Sequence, residues 1–457
     1  MNSTQPGSTA SRPNIVWIFG DQHRAQSLGY AGDPNLSTPH LDRAAREGLY
    51  LPAAVSGCPL CCPFRGSLLT GLYPHQAVPG HEDRMPEALP TVGSLMRAGG
   101  YDTYYLGKWH LDGFHEREGR AAWHRVPPER RGGFERWEGY ENNNAQYDSW
   151  IHGGEGDQAF HEKLPGYETD VLTDRFLAYL KARAEERQGG GEGVRPFFAV
   201  LSVQPPHDPY VAPEAWSRRH RPGQMQFRPN VPAVPRIRER ASRDLAGYHA
   251  MIENLDDNFG RIRELLLETG LAENTHIIFF SDHGDMHGSQ GQFLKTGPYE
   301  EAVRVPFIHV LGRGAYNGTV RGVRDWLINH VDYLPTTLGL AGLPVPEHLP
   351  GFDYSPHLLN RADAAPVPDS AYLQLVRPTG HAYSVDRPWR GVVTRDGWKY
   401  VCLEGQPLLM FNLKEDPYEL CNLAYNTAFS AERSRLQGML AEWIGKTGDE
   451  FVLPKGI

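Results

Sequence analysis

The sequence predicts an α/β protein with a large mixed, mostly parallel sheet between helices. A smaller C-terminal α+β unit with an antiparallel sheet is expected to follow. Three observations carry this reading. Four short runs are apolar throughout instead of alternating, the mark of strands buried on both faces. Amphipathic helical stretches separate them, as a layered α/β domain requires. After about Asn360 the texture changes to short alternating runs broken by Asp-Gly and Gly.

Taken in order, "NIVWIF" (Asn14 to Phe19) runs into Gly20-Asp21-Gln22-His23, and "YDTYYLG" (Tyr101 to Gly107) into Lys108-Trp109-His110. "PFFAVLSV" (Pro196 to Val203) runs into Gln204-Pro205-Pro206-His207, and "THIIFFS" (Thr275 to Ser281) into Asp282-His283-Gly284-Asp285. The helical stretches are "PHLDRAAREG", "PTVGSLMRAGG", "YETDVLTDRFLAYLKARAEE" and "YHAMIENLDDNFGRIRELLLETG", the last stopped by Gly270. "RQGGGEGV" (Arg187 to Val194) is expected to be a flexible turn, and Ser202 to about Arg240, rich in Pro and Arg, a long irregular excursion. "RADAAPVPDS" reads as a linker. This gives a flexible tail over 1–11, an N-terminal domain over 12–369 and a C-terminal one over 370–457, closed by the helix "SAERSRLQGMLAEWIGKTG".

Composition excludes several classes. With 457 residues and 40% hydrophobic content the chain can bury a large core. Net charge is −9 with both signs interspersed and no basic arm, so no nucleic-acid partner is expected. No apolar run approaches the roughly 18 residues of a membrane span. The polar opening "MNSTQPGSTAS" lacks a signal-peptide pattern, and five cysteines are too few for a disulfide scaffold. Both point to a cytoplasmic protein. The oligomeric state is left open, a homo-oligomer included.

Ligands in open α/β sheets bind outside the carboxyl ends of the strands. Here all four apolar runs end in Asp, His or Lys, and their convergence is a site hypothesis. A second signal is "GCPLCCPFRGSLLTG" (Gly57 to Gly71), which holds three of the five cysteines. Cys58 and Cys61 form a C-x-x-C, but a zinc site needs a second pair, and Cys402 and Cys421 are each isolated. A thioredoxin-like setting is missing. Neither Cys58 nor Cys61 stands at the Cys-x5-Arg spacing of cysteine phosphatases. Read alone, the cluster is a buried turn.

Cys61-Cys62-Pro63-Phe64-Arg65, followed by Leu68-Leu69-Thr70-Gly71, changes that reading. This Cys-x-Pro-x-Arg motif resembles that of the type I, formylglycine-dependent sulfatases of the alkaline phosphatase superfamily. The resemblance runs in order through "RPNIVWIFGDQHR", "STPHLDRAAREG", "GYDTYYLGKWHL", "PPHDPY", "SDHGDMHGSQGQFLKTGPYEEAVRVPFI", "VDYLPTTLGLAGLPVP" and "FNLKEDPYELCNLA". It implies an alkaline phosphatase-like fold and a hydrolase of sulfate monoesters on aryl, alkyl or carbohydrate groups. It also implies that a maturation enzyme converts Cys61 to formylglycine, whose hydrate is the nucleophile. A phosphonate monoester or phosphodiester hydrolase of the same superfamily is the alternative, and a non-catalytic protein keeping the fold is the alternative outside enzymes.

The resemblance also implies roles. Asp21, Gln22, Cys61, Asp282 and His283 would hold a divalent cation, Ca²⁺ first, with Mn²⁺, Mg²⁺ or Zn²⁺ compatible. Many family members carry Asp where Gln22 stands. Arg65 would orient the hydrate, Lys108 and Lys295 would grip sulfate, Lys295 or His207 would protonate the leaving oxygen, and His110 would take the hemiacetal proton. Read alone, Lys108 is a solvated loop lysine and His110 a packed core histidine. His81, Asn143 and Asn144 are expected to touch substrate, a small or oligosaccharide sulfate ester. His75 is a weaker candidate, Asp285 and His287 are expected behind the metal loop or at the surface, and Arg304 is expected to pair with Glu300 or Glu301.

Overall fold

The computed structural model describes residues 12–189, 193–312, 320–380, 382 and 385–455. The expected tail over 1–11 and the middle of the expected Arg187–Val194 turn lie outside the described residues. Ten strands build the main sheet: β1 (Asn14–Gly20), β2 (Leu49–Tyr50), β3 (Asp102–Lys108), β4 (Arg136–Tyr140), β5 (Trp150–Gly153), β6 (Phe160–Lys163), β7 (Phe197–Val203), β8 (Thr275–Ser281), β9 (Phe307–Val310) and β10 (Gly322–Val323). Their order is β10-β2-β9-β8-β1-β7-β3-β4-β5-β6. The central block from β8 to β4 is parallel, and β9, β5 and β6 pair antiparallel with their neighbours. The four apolar runs are thus the four adjacent strands β8, β1, β7 and β3.

Their composition explains the layering. Ile15, Trp17 and Phe19 of β1 enter one core, and Val16 and Ile18 enter the other. Helices α1 (Pro39–Glu47), α4 (Glu168–Gln188) and α5 (Pro235–Glu268) cover the second face. Helices α2 (Cys61–Thr70), α3 (Val92–Ala98) and α6 (Tyr333–Leu340) cover the first. α3 opens on a capping box between Thr91 and Ser94. α2 is buried on every residue and stops at left-handed Gly71.

Two expectations change. The helix expected from Tyr248 begins at Pro235, where a proline fits the first turn, so the excursion after β7 is shorter. Strands β4 to β6 were not foreseen, because an edge such as Phe160–Lys163 is half exposed and carries no apolar run.

A four-stranded antiparallel sheet follows, in the order β11 (Ser370–Leu375), β12 (Trp389–Thr394), β13 (Trp398–Leu403) and β14 (Gln406–Asn412), covered by α7 (Ser430–Thr447). It is fused to the main domain. Cys58, Leu60 and Val303 share a core with Leu373, Trp389 and Phe411. Gln374 N–H donates to Gly57 O at 2.7 Å, and Trp389 Nε1–H to Thr296 O at 2.9 Å. The second sheet therefore buttresses the loops on both sides of the site. No helix among the described residues is long and apolar enough to cross a membrane.

Candidate active site

Parallel neighbours align their carboxyl ends, so the residues after β1, β3, β7 and β8 meet. Asp21 and Gln22 follow β1, Lys108 ends β3 with His110 just beyond, His207 follows β7, and Asp282 and His283 follow β8. The turn at β3 requires glycine: Gly107 has φ +112°, and a Cβ there would lie 1.9 Å from the Ser202 carbonyl oxygen. Several non-glycine residues nearby also hold left-handed backbone, namely Gln22 (φ 73°), His110 (58°), Leu294 (63°) and Thr296 (73°). Such conformations cost about 1–3 kcal/mol each and persist where surrounding structure fixes them, commonly at functional sites.

Cys61, the first residue of α2, sits at the focus. Its Sγ is 3.2 Å from His283 Nε2, 3.5 Å from Asp21 Oδ1 and 3.1 Å from Lys295 Nζ. Burial and the Asp21 charge work against the thiolate, but Lys295, Lys108 and His207 outweigh them and bring the thiol down to about 7. Its neighbours behave oppositely. Burial pushes the Cys58 and Cys62 thiols up, Cys62 being raised further by Cys61.

The ligand atoms of Asp21, Cys61, Asp282 and His283 all lie within 4.8 Å of one another, and all four residues are buried. Asp282 Oδ1 accepts the backbone N–H groups of Gln22 and His283, each at 2.8 Å, while its buried Oδ2 has no hydrogen-bond partner. Burial first, then the facing Asp21 charge, raises the Asp282 carboxyl to about 7. Asp21 is held well below the usual range: burial opposes ionisation, and Lys108, His207, Lys295 and Arg65 prevail. His283 Nδ1 donates to the Gly284 carbonyl at 3.0 Å, and burial keeps the ring neutral, so Nε2 presents a lone pair to the cluster. Two carboxylates forced together, an orphaned carboxylate oxygen and a neutral imidazole nitrogen fit a divalent cation.

Three side-chain cations complete the site. Arg65 Nη1 donates to the Lys108 carbonyl at 2.7 Å and to Ser202 Oγ at 2.9 Å, and Nη2 donates to Asp21 Oδ2 at 3.2 Å. Lys108 Nζ forms a buried ion pair with the same Asp21 oxygen at 2.7 Å. Asp21 thus turns Oδ2 to the cations and Oδ1 to Cys61 and His283. Lys295 Nζ donates to Gln22 Oε1 and to His207 Nε2, each at 2.9 Å, and His207 Nδ1 donates to the Asp208 carbonyl at 2.6 Å. Burial, with Lys108 adding to it, holds His110 well below its ordinary value, and its Nδ1 makes no hydrogen bond.

The structure therefore brings together Asp21, Gln22, Cys61, Arg65, Lys108, His207, Asp282, His283 and Lys295, with His110 beside them. Gln22 is placed differently from a simple ligand: its amide bridges Lys295 and Asp285, donating to Asp285 Oδ2 at 2.5 Å. His81 packs edge-on against His110, ring centroids 5.7 Å apart. Asn143 is turned into the fold, with both amide atoms on the Trp150 backbone, whereas Asn144 joins Glu116 and Gln204. His75 holds Gln374 and the Thr447 carbonyl instead of facing the site. Arg304 pairs with Glu300 at 2.7 Å, and Asp285 and His287 are buried behind Gln22. Ser202 and Tyr210 are supports the sequence did not single out, whereas Asp285 takes the first of the two places expected for it, behind the metal loop.

Comparison with known proteins agrees with this geometry. The sulfatase family model matches residues 13–343, and a model described as N-sulphoglucosamine sulphohydrolase, C-terminal, matches 288–446. The ulvan-active sulfatase of Formosa agariphila is 32% identical, over 96% of this chain and 83% of that protein. The endo-4-O-sulfatase of Bacteroides thetaiotaomicron is 30% identical, over 83% and 77%. A solved Bacteroides thetaiotaomicron structure labelled 4S-sulf, from a locus for metabolism of multiple glycosaminoglycans, superposes with a TM-score of 0.81 at 26% identity, covering 96% of this chain and 97% of that one. The chain belongs to the sulfatase family. It is a sulfuric ester hydrolase built on the alkaline phosphatase-like fold.

Proposed function

We propose that this sulfatase removes sulfate from a carbohydrate sulfate ester, with Cys61 converted to formylglycine and a calcium ion held by Asp21, Asp282, His283 and the converted residue 61. The observation that carries the reading is the meeting of Cys61 with two buried carboxylates, a neutral imidazole and three cations. The carbohydrate preference is supported by the ulvan-active and endo-4-O-sulfatase relatives. Oxygen donors outnumber the one nitrogen donor, which favours calcium among the divalent ions.

When bound, the cation would neutralise the sulfate charge, and formylglycine would supply a hydrate as the nucleophile. The chain's own residues do the rest. Lys108 pairs with Asp21 Oδ2 at 2.7 Å, and its ammonium carries three protons, so it can also donate to a sulfate oxygen. Arg65, fixed by Ser202 and the Lys108 carbonyl, keeps Asp21 ionised and aimed at the cation site. Lys295, held by its 2.9 Å contact with His207 Nε2, supplies an ammonium proton for the leaving oxygen. His110, buried and neutral, can accept a proton after transfer.

Mass spectrometry of the Cys61 peptide tests conversion, which lowers its mass by about 18 Da. Parallel assays of the converted enzyme on sulfated oligosaccharides and aryl phosphonate esters test the substrate. A higher specificity constant for the phosphonate, or an intact thiol in fully active enzyme, refutes the proposal.

A further inference from the structure

A second group of metal-capable side chains lies next to the nucleophile, and it shares only His110 with the proposed reaction. Cys62 Sγ and ring nitrogens of His81 and His110 all lie within 4.8 Å of one another. Cys62 and His110 are buried, and His81 is partly exposed, so a solvated ion has a route in. The Glu82 backbone N–H donates to Cys62 Sγ at 3.3 Å and fixes the position of the sulfur. His110 brings a buried nitrogen, Nδ1, with no hydrogen bond. Glu82 stands 3.9 Å from His81 and puts a carboxylate at the rim, while Lys108 opposes a cation from the inner side.

We propose that Cys62, His81 and His110 form a soft-metal site, and that Zn²⁺ bound there shuts the enzyme down. One thiolate and two imidazoles are a zinc donor set, whereas the principal site is dominated by carboxylates. Conversion of Cys61 would sharpen this contrast, because it replaces the only sulfur of the principal site by oxygen. Binding forms a Zn–S bond and releases the Cys62 proton to solvent; no redox step is involved. Occupation would remove His110 as a proton acceptor. The metal site stands on the geometry alone, and only the inhibition rests on the sulfatase reading.

Cobalt reports the site directly. The Cys61→Ala protein, saturated with Ca²⁺ and titrated with Co²⁺, is expected to show a thiolate-to-cobalt charge-transfer band. The band should vanish in the Cys61→Ala/Cys62→Ala double variant. In converted enzyme, Cys62→Ala should raise the Zn²⁺ concentration for half-inhibition by at least about tenfold at unchanged basal rate. Cys62→Ser provides the same test with the side-chain volume kept. Absence of the band in Cys61→Ala, or equal zinc sensitivity in the Cys62 variants, overturns the proposal. The band in Cys61→Ala together with converted wild-type enzyme that cleaves no sulfate ester supports the site and overturns the sulfatase reading instead.

Discussion

Replacing Arg65 by lysine separates charge from geometry at the centre of the site. Arg65 is 1% exposed and makes three directed contacts, to the Lys108 carbonyl, Ser202 Oγ and Asp21 Oδ2. An ammonium keeps the charge but cannot span all three. The Lys108 carbonyl would still accept from Ser202 at 3.0 Å and from Tyr105, so the two bonds lost from the guanidinium leave partnered acceptors and cost only about 1 kcal/mol each. The contact to Asp21 is charge-assisted, and losing part of it adds roughly 1–2 kcal/mol. Arg65→Lys should therefore destabilise the metal-free protein by about 3–4 kcal/mol. Arg65→Ala should exceed that, because Asp21 and Asp282 then lose a buried counter-charge. Calcium should recover part of both losses by supplying positive charge. The effect on turnover comes from Asp21 and Lys108 losing their common anchor, and a fall in kcat of roughly 10²-fold is expected. Urea unfolding with and without calcium, and kcat on an aryl sulfate normalised to the converted fraction, measure these effects. A variant within about threefold of wild-type kcat and 0.5 kcal/mol of its stability would show that the fork does not organise the site.

Two further predictions follow from the geometry. The Asp282 carboxyl, raised to about 7, is protonated below that pH in the metal-free protein, so calcium must displace one proton there and none well above it. Calorimetry in buffers of different ionisation enthalpy should count close to one proton at pH 6 and none at pH 9, and a pH-independent affinity contradicts the assignment. For the metal-free fold the sign is the reverse: the stability Asp282 contributes is full below its unfolded value near 4 and lost as pH rises through about 7. Gly107→Ala should cost at least about 2–3 kcal/mol, since it adds a positive-φ penalty to a 1.9 Å approach on Ser202, and thermal melts would detect it.

The parts of this site that the sequence reveals are those attached to strands buried on both faces. Such strands need continuous apolar runs, so their ends are visible, and Asp21, Lys108, His207 and Asp282 could be placed before any contact was known. Lys295 sits on a loop without such a frame, and only the family motif pointed to it. Strands β4 to β6 left no such signal: β4 and β5 are buried but short and interrupted by Arg, Glu, His and Gly, and the edge strand β6 is half exposed. The cysteine cluster shows a different limit. A zinc reading was tested against paired cysteines, and none paired with Cys58 or Cys61. The histidines that approach Cys62 come from positions 81 and 110, brought there by the turn after α2 and the left-handed backbone after β3.

Gln22 is the position where sequence and structure inform each other most. By resemblance, a carboxylate commonly stands there, and its loss could be read as a weakened metal site. The structure gives a reason for the amide. Its Nε2 donates to Asp285 Oδ2 at 2.5 Å and its Oε1 accepts from Lys295 at 2.9 Å. Asp285 also accepts from Tyr210 and from two backbone N–H groups, and burial raises its carboxyl to about 6. A carboxylate at position 22 would face that buried carboxyl with no proton to offer it. The amide donates to the anion and accepts from the cation, so it joins Asp285 to Lys295. Removing one negative charge from the cation site is thus the electrostatic counterpart of keeping Asp285 behind it.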